Sequence, residues 1–317
     1  MQERWLITGA GGFCGRHLTH FLVTAGRAKV YGCGRTIPGH PLPGVEWSVC
    51  DVENGPSLRK LIEAVRPATV IHLAGAAGGV EPGALLQVNV TGTLNVLEAC
   101  YAIPGLRPKV LLMGSSASFG EMVPEESRLG SERRPVPLCF HGMTREAALE
   151  CGRVAALQWG LPIYLCRGFN AIGPGTLETF APAAIARRLR KAVLEKAENF
   201  SLHNPEAIRD FIDVRDLAKA LLAIIRSGRT GIPYSIGSGH GTSIRTLTEK
   251  LAAILGAKVE FKAAETEVRP GAAGPSRSVA DITDLVADTG WKPEIPLDQS
   301  LRDMVAGMFP PGGSSAL

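Results

Sequence analysis

Charge is scarce in this chain of 317 residues: Lys, Arg, Asp and Glu together make up 20% of it. The formal net charge is only +4 and no block of Lys and Arg occurs, so the electrostatic footprint of a nucleic-acid-binding protein is missing. No apolar run approaches the roughly 20 residues that a membrane-spanning helix needs. The seven cysteines (Cys14, Cys33, Cys50, Cys100, Cys139, Cys151 and Cys166) are odd in number and sit among apolar neighbours. They form no C-x-x-C pair and no Cys/His metal spacing, which argues against a disulfide framework or a metal centre and for free thiols in a reducing compartment. The N-terminal residues run straight into a strand-like segment without a leader signature, so a cytoplasmic location is expected. Hydrophobic residues reach 45%, enough for the core of one large or two closely packed domains.

From Trp5 to Asn170 short apolar runs alternate with segments of helical period, the pattern of parallel strands joined by crossover helices. Strands are expected at Trp5 to Thr8, Lys29 to Cys33, Val45 to Cys50, Thr69 to Leu73, Val110 to Met113 and Ile163 to Arg167. Most are apolar throughout, as strands covered on both faces must be. Helices are expected from Phe13, over Ser57 to Val65, in a long segment ending near Tyr101, and over His141 to Trp159, with Pro67, Pro104 and Pro162 at their exits. The fold class is therefore α/β, a Rossmann-type doubly wound parallel sheet. After Gly173-Pro174-Gly175 the regularity changes: a basic helix around Arg187 to Lys196, a helix from Val214 to Ile225 and a strand near Tyr234 precede mixed short elements. Residues 1–170, with parts of about 212–240, are expected to form the dinucleotide-binding domain. Residues 171–211 and 241–317 would form a smaller, interleaved α/β substrate-binding domain, with Gly312 to Ser315 a disordered tail.

Thr8-Gly9-Ala10-Gly11-Gly12-Phe13-Cys14-Gly15 follows the first strand and opens the first helix. That context distinguishes a dinucleotide turn from a merely tight connection. One glycine permits the turn, a second lets backbone N–H groups approach a pyrophosphate, and a third lets helix and strand touch, with the helix N-terminus facing negative charge. The spacing is G-x-x-G-x-x-G. An acidic residue at the end of the second strand would bind the ribose hydroxyls of NAD, and none is there. Val30-Tyr31-Gly32-Cys33-Gly34-Arg35 offers Arg35 instead, which suits a 2′-phosphate and favours NADP, with NAD left open.

Taken with Asp51-Val52, His72-Leu73-Ala74-Gly75 and Asn89 in Asn89-Val90-Thr91-Gly92-Thr93, this turn resembles extended short-chain dehydrogenases/reductases acting on nucleotide sugars. The resemblance runs through nearly the whole chain. It implies that Asp51 and Val52 lie at the adenine, that Leu73 and Ala74 pass the cofactor, and that Asn89 is a structural and relay position. In the second half Arg167 to Gly175, Arg209 to Asp216 and Thr289 to Pro293 are similar to segments of the GDP-4-keto-6-deoxymannose reductases within that family. A nucleoside diphosphate sugar is the implied ligand, with Asn170, Arg209 and Arg269 toward its diphosphate and nucleotide. Two guanidiniums and an amide suit phosphate oxygens through charge-assisted bonds.

The family places a Ser or Thr after the fifth strand and a Tyr-x-x-x-Lys on the next helix. Ser115 fits the first role, but the expected Tyr and Lys fall on His141 and Arg145, and no other Tyr-x-x-x-Lys occurs. The i, i+4 spacing is kept, so the two still share a helix face. Arg145 suits ribose hydroxyls, and an imidazole titrating near neutrality serves as acid or base. A neighbouring arginine and an oxidised nicotinamide would both depress its pKa, which helps a base and hinders an acid. Three readings follow: a reductase in which His141 or a water held by Ser115 protonates a carbonyl oxygen, another nucleotide-sugar reaction such as epimerisation, or a protein that binds both ligands without catalysis. Dehydration is disfavoured because Ser116 and Ala117 stand where the family's dehydratases carry carboxylates. Apolar stretches over Leu85 to Cys100 and His141 to Ala156 exceed what one sheet face covers, and the resemblance implies that they pair across a two-fold axis in a homodimer.

Overall fold

The computed structural model describes residues 2–26, 28–77, 79–123, 125–263 and 275–310. Arg269 and the tail from Gly312 to Ser315 lie outside these. The first half of the chain holds six strands, β1 (Arg4–Thr8), β2 (Lys29–Gly34), β3 (Val45–Val49), β4 (Thr69–His72), β5 (Lys109–Ser115) and β6 (Ile163–Gly168). Their crossovers carry helices α1 (Phe13–Thr24), α2 (Gly55–Val65), α3 (Pro82–Leu85), α4 (Gly92–Ala102) and α5 (Phe140–Trp159). After β7 (Asn170–Ile172), α6 (Ala181–Glu195), β8 (Asn199–Leu202), β9 (Ile208–Asp213) and α7 (Val214–Ser227), the strand β10 (Pro233–Ile236) returns to the first sheet. That sheet has seven parallel strands in the order β10-β6-β5-β4-β1-β2-β3.

Alternation along β1 explains the two cores. Trp5 and Ile7 point to the face covered by α1 and α7, where they meet Leu18, Leu22 and Leu221. Leu6 points to the other face, against Leu58, Ile62, Leu97 and Leu149 of α2, α4 and α5. Burial on both sides is why these strands are continuously apolar. The order of strands reverses between β1 and β4, and a crevice opens outside the carboxyl ends of the strands at such a switch point.

The remaining elements are β11 (Gly241–Ser243), α8 (Ile244–Leu255), β12 (Glu260–Ala263), β13 (Arg277–Ser278), α9 (Thr283–Thr289) and α10 (Leu297–Met308). A second sheet joins β11, β9 and β13, with β7 also paired to β9, and β12 pairs with β8. Helices α6, α8 and α10 enclose a separate apolar core around Leu189, Leu251 and Leu301. Residues 283–291, allotted to the smaller domain by the sequence reading, instead pack Leu285 and Trp291 into the core beneath the large sheet. The segment ending near Tyr101 is also more divided than its apolar pattern indicates. A π-helical stretch, Leu86–Thr91, separates α3 from α4 and carries the buried Asn89.

Candidate active site

The glycine turn is shaped by what its neighbours leave no room for. Gly9 has φ +67°, and a Cβ there would stand 2.7 Å from the Ala74 backbone nitrogen. A Cβ on Gly15 would overlap the Gly9 carbonyl. Strand β1, helix α1 and the segment after β4 are thus brought to backbone contact. Gly12 caps α1 without a side chain, so the first-turn N–H groups keep their bonding capacity for a ligand. The segment after β4 is held by a chain of hydrogen bonds through buried His72. Ala74 N donates to Thr8 Oγ1, Thr8 Oγ1 pairs with His72 Nδ1 at 2.7 Å, His72 Nε2 pairs with Thr93 Oγ1 at 3.2 Å, and Thr93 Oγ1 donates to the Asn89 carbonyl at 2.6 Å. Only the neutral ring protonated at Nε2 satisfies every member of that chain. Burial, and then the Arg145 cation, hold the His72 pKa down at about 3.

At the other end of the crevice, α5 supplies His141 and Arg145. Its register on the sheet is fixed by a bidentate pair from Arg167 on β6 to Glu146, with bonds of 2.6 and 3.0 Å and the guanidinium seated over Phe119. Arg145 lies against Gly75, whose missing side chain makes the room, and its Nη1 donates to the Met113 carbonyl at 3.3 Å. Its Nε is buried without a partner. Burial lowers the Arg145 pKa to about 10, which leaves it cationic at neutral pH. Cys14 stands close by, and burial pushes its thiol up to about 11 against the pull of that cation. The His141 pKa is lowered to about 4, first by burial and then by Arg145, while the nearby Ala76 backbone works in the opposite direction. His141 Nδ1 is buried and has no partner. Ser115 ends β5, and its Oγ accepts from Ala117 N at 3.2 Å.

Gly9, Gly12, Phe13, Gly15 and Leu73 line the same cleft, of about 490 Å³, as Ser115, His141 and Arg145. Asn170 and Arg209 enter it from the side of the second sheet. The Asn170 amide donates to the Asp210 carbonyl at 2.8 Å, leaving one N–H, and Arg209 Nη1 donates to the Ile208 carbonyl. Four residues of the sequence reading do not line this cleft. Arg35 is exposed just beyond β2, Val52 is buried against Gly92, Asp51 is half-buried beside it, and Ala74 is half-buried behind the turn. The structure adds Cys14, Gly75, Ala117, Phe180 and Ser278 to the lining. Gly75, the last residue of His72-Leu73-Ala74-Gly75, carries a local signal; Phe180 and Ser278 arrive only through the tertiary fold. Among the described residues no carboxylate lines the cleft, and none form a group able to hold a metal.

A turn of backbone N–H groups, two buried polar atoms without partners and a serine at a strand end together fit a dinucleotide and a polar substrate meeting over Ser115. The chain belongs to the NAD dependent epimerase/dehydratase family, whose pattern matches residues 5–237. Among its relatives is the GDP-6-deoxy-D-mannose reductase of Pseudomonas aeruginosa, 32% identical over 96% of this chain and 97% of that protein. The dTDP-6-deoxy-L-talose 4-dehydrogenase (NAD(P)(+)) of Kitasatospora kifunensis is 28% identical over 95% of this chain and 94% of its own. The structure of RMD from Pseudomonas aeruginosa complexed with NADPH superposes with a TM-score of 0.80 at 28% identity, covering 96% of this chain and 98% of that one. The UDP-glucose 4-epimerase of Thermus thermophilus, in complex with NAD, gives 0.83 at 25% identity over the same shares.

Proposed function

We propose that this chain is an NADP(H)-dependent nucleotide-sugar oxidoreductase that interconverts an NDP-4-keto-6-deoxyhexose and its 4-hydroxy form, with reduction as its named activity. The observation that carries the reading is the pair of buried, unpartnered atoms, His141 Nδ1 and Arg145 Nε, in the cleft that Ser115 and the glycine turn also line. The reductase and 4-dehydrogenase relatives support it. When bound, the cofactor supplies or accepts hydride. Gly9, Gly12, Phe13 and Gly15 hold its diphosphate, Arg145 its nicotinamide ribose, Arg35 its 2′-phosphate, and Asp51, Val52, Leu73 and Ala74 its adenosine side. NAD binding is the weaker alternative. Asn170, Arg209 and Arg269 grip the diphosphate of the sugar nucleotide, while Ser115 and His141 face its reacting oxygen. The lack of a carboxylate among the described lining residues speaks against a dehydratase.

The large sheet serves as the dinucleotide domain and the part around β7, β9 and α6 as the substrate domain. Met143, Val154 and the 80% exposed Leu157 on α5, with Leu86 and Tyr101 near α4, form an apolar face that suits pairing in a homodimer. All seven cysteines are free thiols, which suits the cytoplasm. No described helix is long and apolar enough to cross a membrane. The test is purified protein with NADPH and a panel of NDP-4-keto-6-deoxyhexoses. Consumption of NADPH with one of them is expected, and binding of both ligands without turnover in either direction at any pH would contradict the reading.

A further inference from the structure

A second cavity, of about 900 Å³, opens beside α1 and shares no lining residue with the cleft. Phe21, Pro38, Leu42, Trp47 and Ile295 give it an apolar, partly aromatic wall. Trp47 on β3 is seated against Gly32 of β2, where a Cβ would come within 3.0 Å of the indole. Its Nε1 is buried without a partner, and an indole N–H can only donate, so an acceptor is wanting there. Charge around the cavity is unevenly satisfied. Arg215 is paired with Asp213 and Asp303, at 2.8 and 2.6 Å, and Lys219 with Asp216 and Glu294, at 3.5 and 2.5 Å. Arg16 has one partner among the described residues, the Gly175 carbonyl at 3.1 Å, which leaves most of its donors open. His20 and His40 line the same cavity, both exposed, and among the described residues no carboxylate lines it. A neutral apolar occupant would match the wall but leave Arg16 and the indole N–H unanswered. A small inorganic anion would answer Arg16 and leave the wall bare.

We propose that this cavity is a second ligand site, for an aromatic carboxylate or a like organic monoanion. Its flat body packs against Phe21 and Trp47, its anionic group meets the Arg16 guanidinium, and an acceptor atom takes the Trp47 N–H. The volume suits a molecule of that size. Arg16 and His17 directly follow Gly15, and they bond to the Gly175 and Pro174 carbonyls at 3.1 and 2.9 Å. The occupant therefore touches both the helix of the glycine turn and the turn that follows β7, without entering the cleft. The site stands independently of the oxidoreductase reading above.

The test uses 8-anilino-1-naphthalenesulfonate, an aromatic monoanion, added to the full-length protein in excess NADP⁺, with dye emission and tryptophan quenching read together. One saturable molecule per chain is expected. N-phenyl-1-naphthylamine, the same aromatic body without the anion, should bind about tenfold more weakly at low salt. The sulfonate should lose about the same factor in Arg16→Gln, a substitution at an exposed position that leaves the core untouched. In Trp47→Phe most of the quenching should disappear. Equal affinity for the two dyes would mean an apolar surface alone. Sulfonate affinity unmoved in Arg16→Gln, with quenching kept in Trp47→Phe, would put the dye elsewhere on the protein, and displacement by NADP⁺ would put it in the cofactor site. Each of these would overturn the proposal, as would the absence of saturable binding.

Discussion

The two ends of the cleft are built on opposite principles. At the dinucleotide end the structure depends on side chains that are missing: Gly9 and Gly15 let three backbone segments touch, and the ligand-facing groups are main-chain N–H. At the reacting end it depends on side chains that are present and incompletely satisfied, His141 Nδ1 and Arg145 Nε. Backbone recognition leaves little freedom, because any Cβ at Gly15 collides with a carbonyl. A side-chain site keeps its geometry as long as the spacing on the helix is kept. Under the proposed function, that difference lets the cofactor turn stay intact with His141 and Arg145 where the resemblance implies Tyr and Lys.

The dinucleotide end is most sensitive at Gly15. Gly15→Val should abolish NADPH binding, by about 100-fold or more in fluorescence titration, because the collision is with the Gly9 backbone and has no rotamer to escape into. Retained affinity would show that the turn has more slack than its packing indicates. At the other end, Arg145→Met should weaken NADPH about 10- to 100-fold through the loss of charge-assisted bonds. The same substitution should raise the stability of the ligand-free protein by about 1 kcal/mol, since a buried cation with an unpaired Nε is replaced by an apolar chain of similar length. Lower stability and unchanged affinity would reverse the roles assigned to the two ends.

Acid stability reports on a buried ring behind the turn and on one at the reacting end. His72 and His141 have folded-state pKa values of about 3 and about 4, and an unfolded histidine titrates near 6.5. The unfolded chain therefore binds more protons below about pH 6.5, and the stability present above that pH is lost on acidification toward the folded values. At pH 5 the loss is about 2 kcal/mol for each ring by linkage, in a window mostly above the titration of carboxylates. Denaturant unfolding at pH 7 and pH 5 checks this, and equal stability at both would mean that the rings charge without leaving their sites.

How much of this was legible before folding differs between the same two ends. The turn could be read because its evidence is local: an apolar strand, spaced glycines and a helix in one stretch of fifteen residues. The strands likewise announced burial on both faces through runs such as Val110 to Met113. The spacing that the resemblance implies leads to His141 and Arg145, but not to their state, which depends on burial and on Gly75 from a distant segment. Nothing in an isolated Asn89 shows that it clamps a peptide 13 residues away. The π-helical turn that carries it has the same apolar pattern as an ordinary helix, and so a single helix ending near Tyr101 was read where the chain divides in three. The packing of Leu285 and Trp291 under the large sheet was hidden for the same reason, as a tertiary contact made late in the chain.

Under the proposed function, proton transfer resides at His141 and the cofactor diphosphate at the glycine turn. The most direct measurement compares His141→Ala with the unsubstituted protein, reading turnover of the nucleotide sugar and NADPH affinity on the same samples. The account predicts that kcat falls roughly 100- to 10,000-fold, the range for losing a general acid–base group, with the NADPH Kd changed by no more than about 2-fold. An unchanged kcat would contradict it.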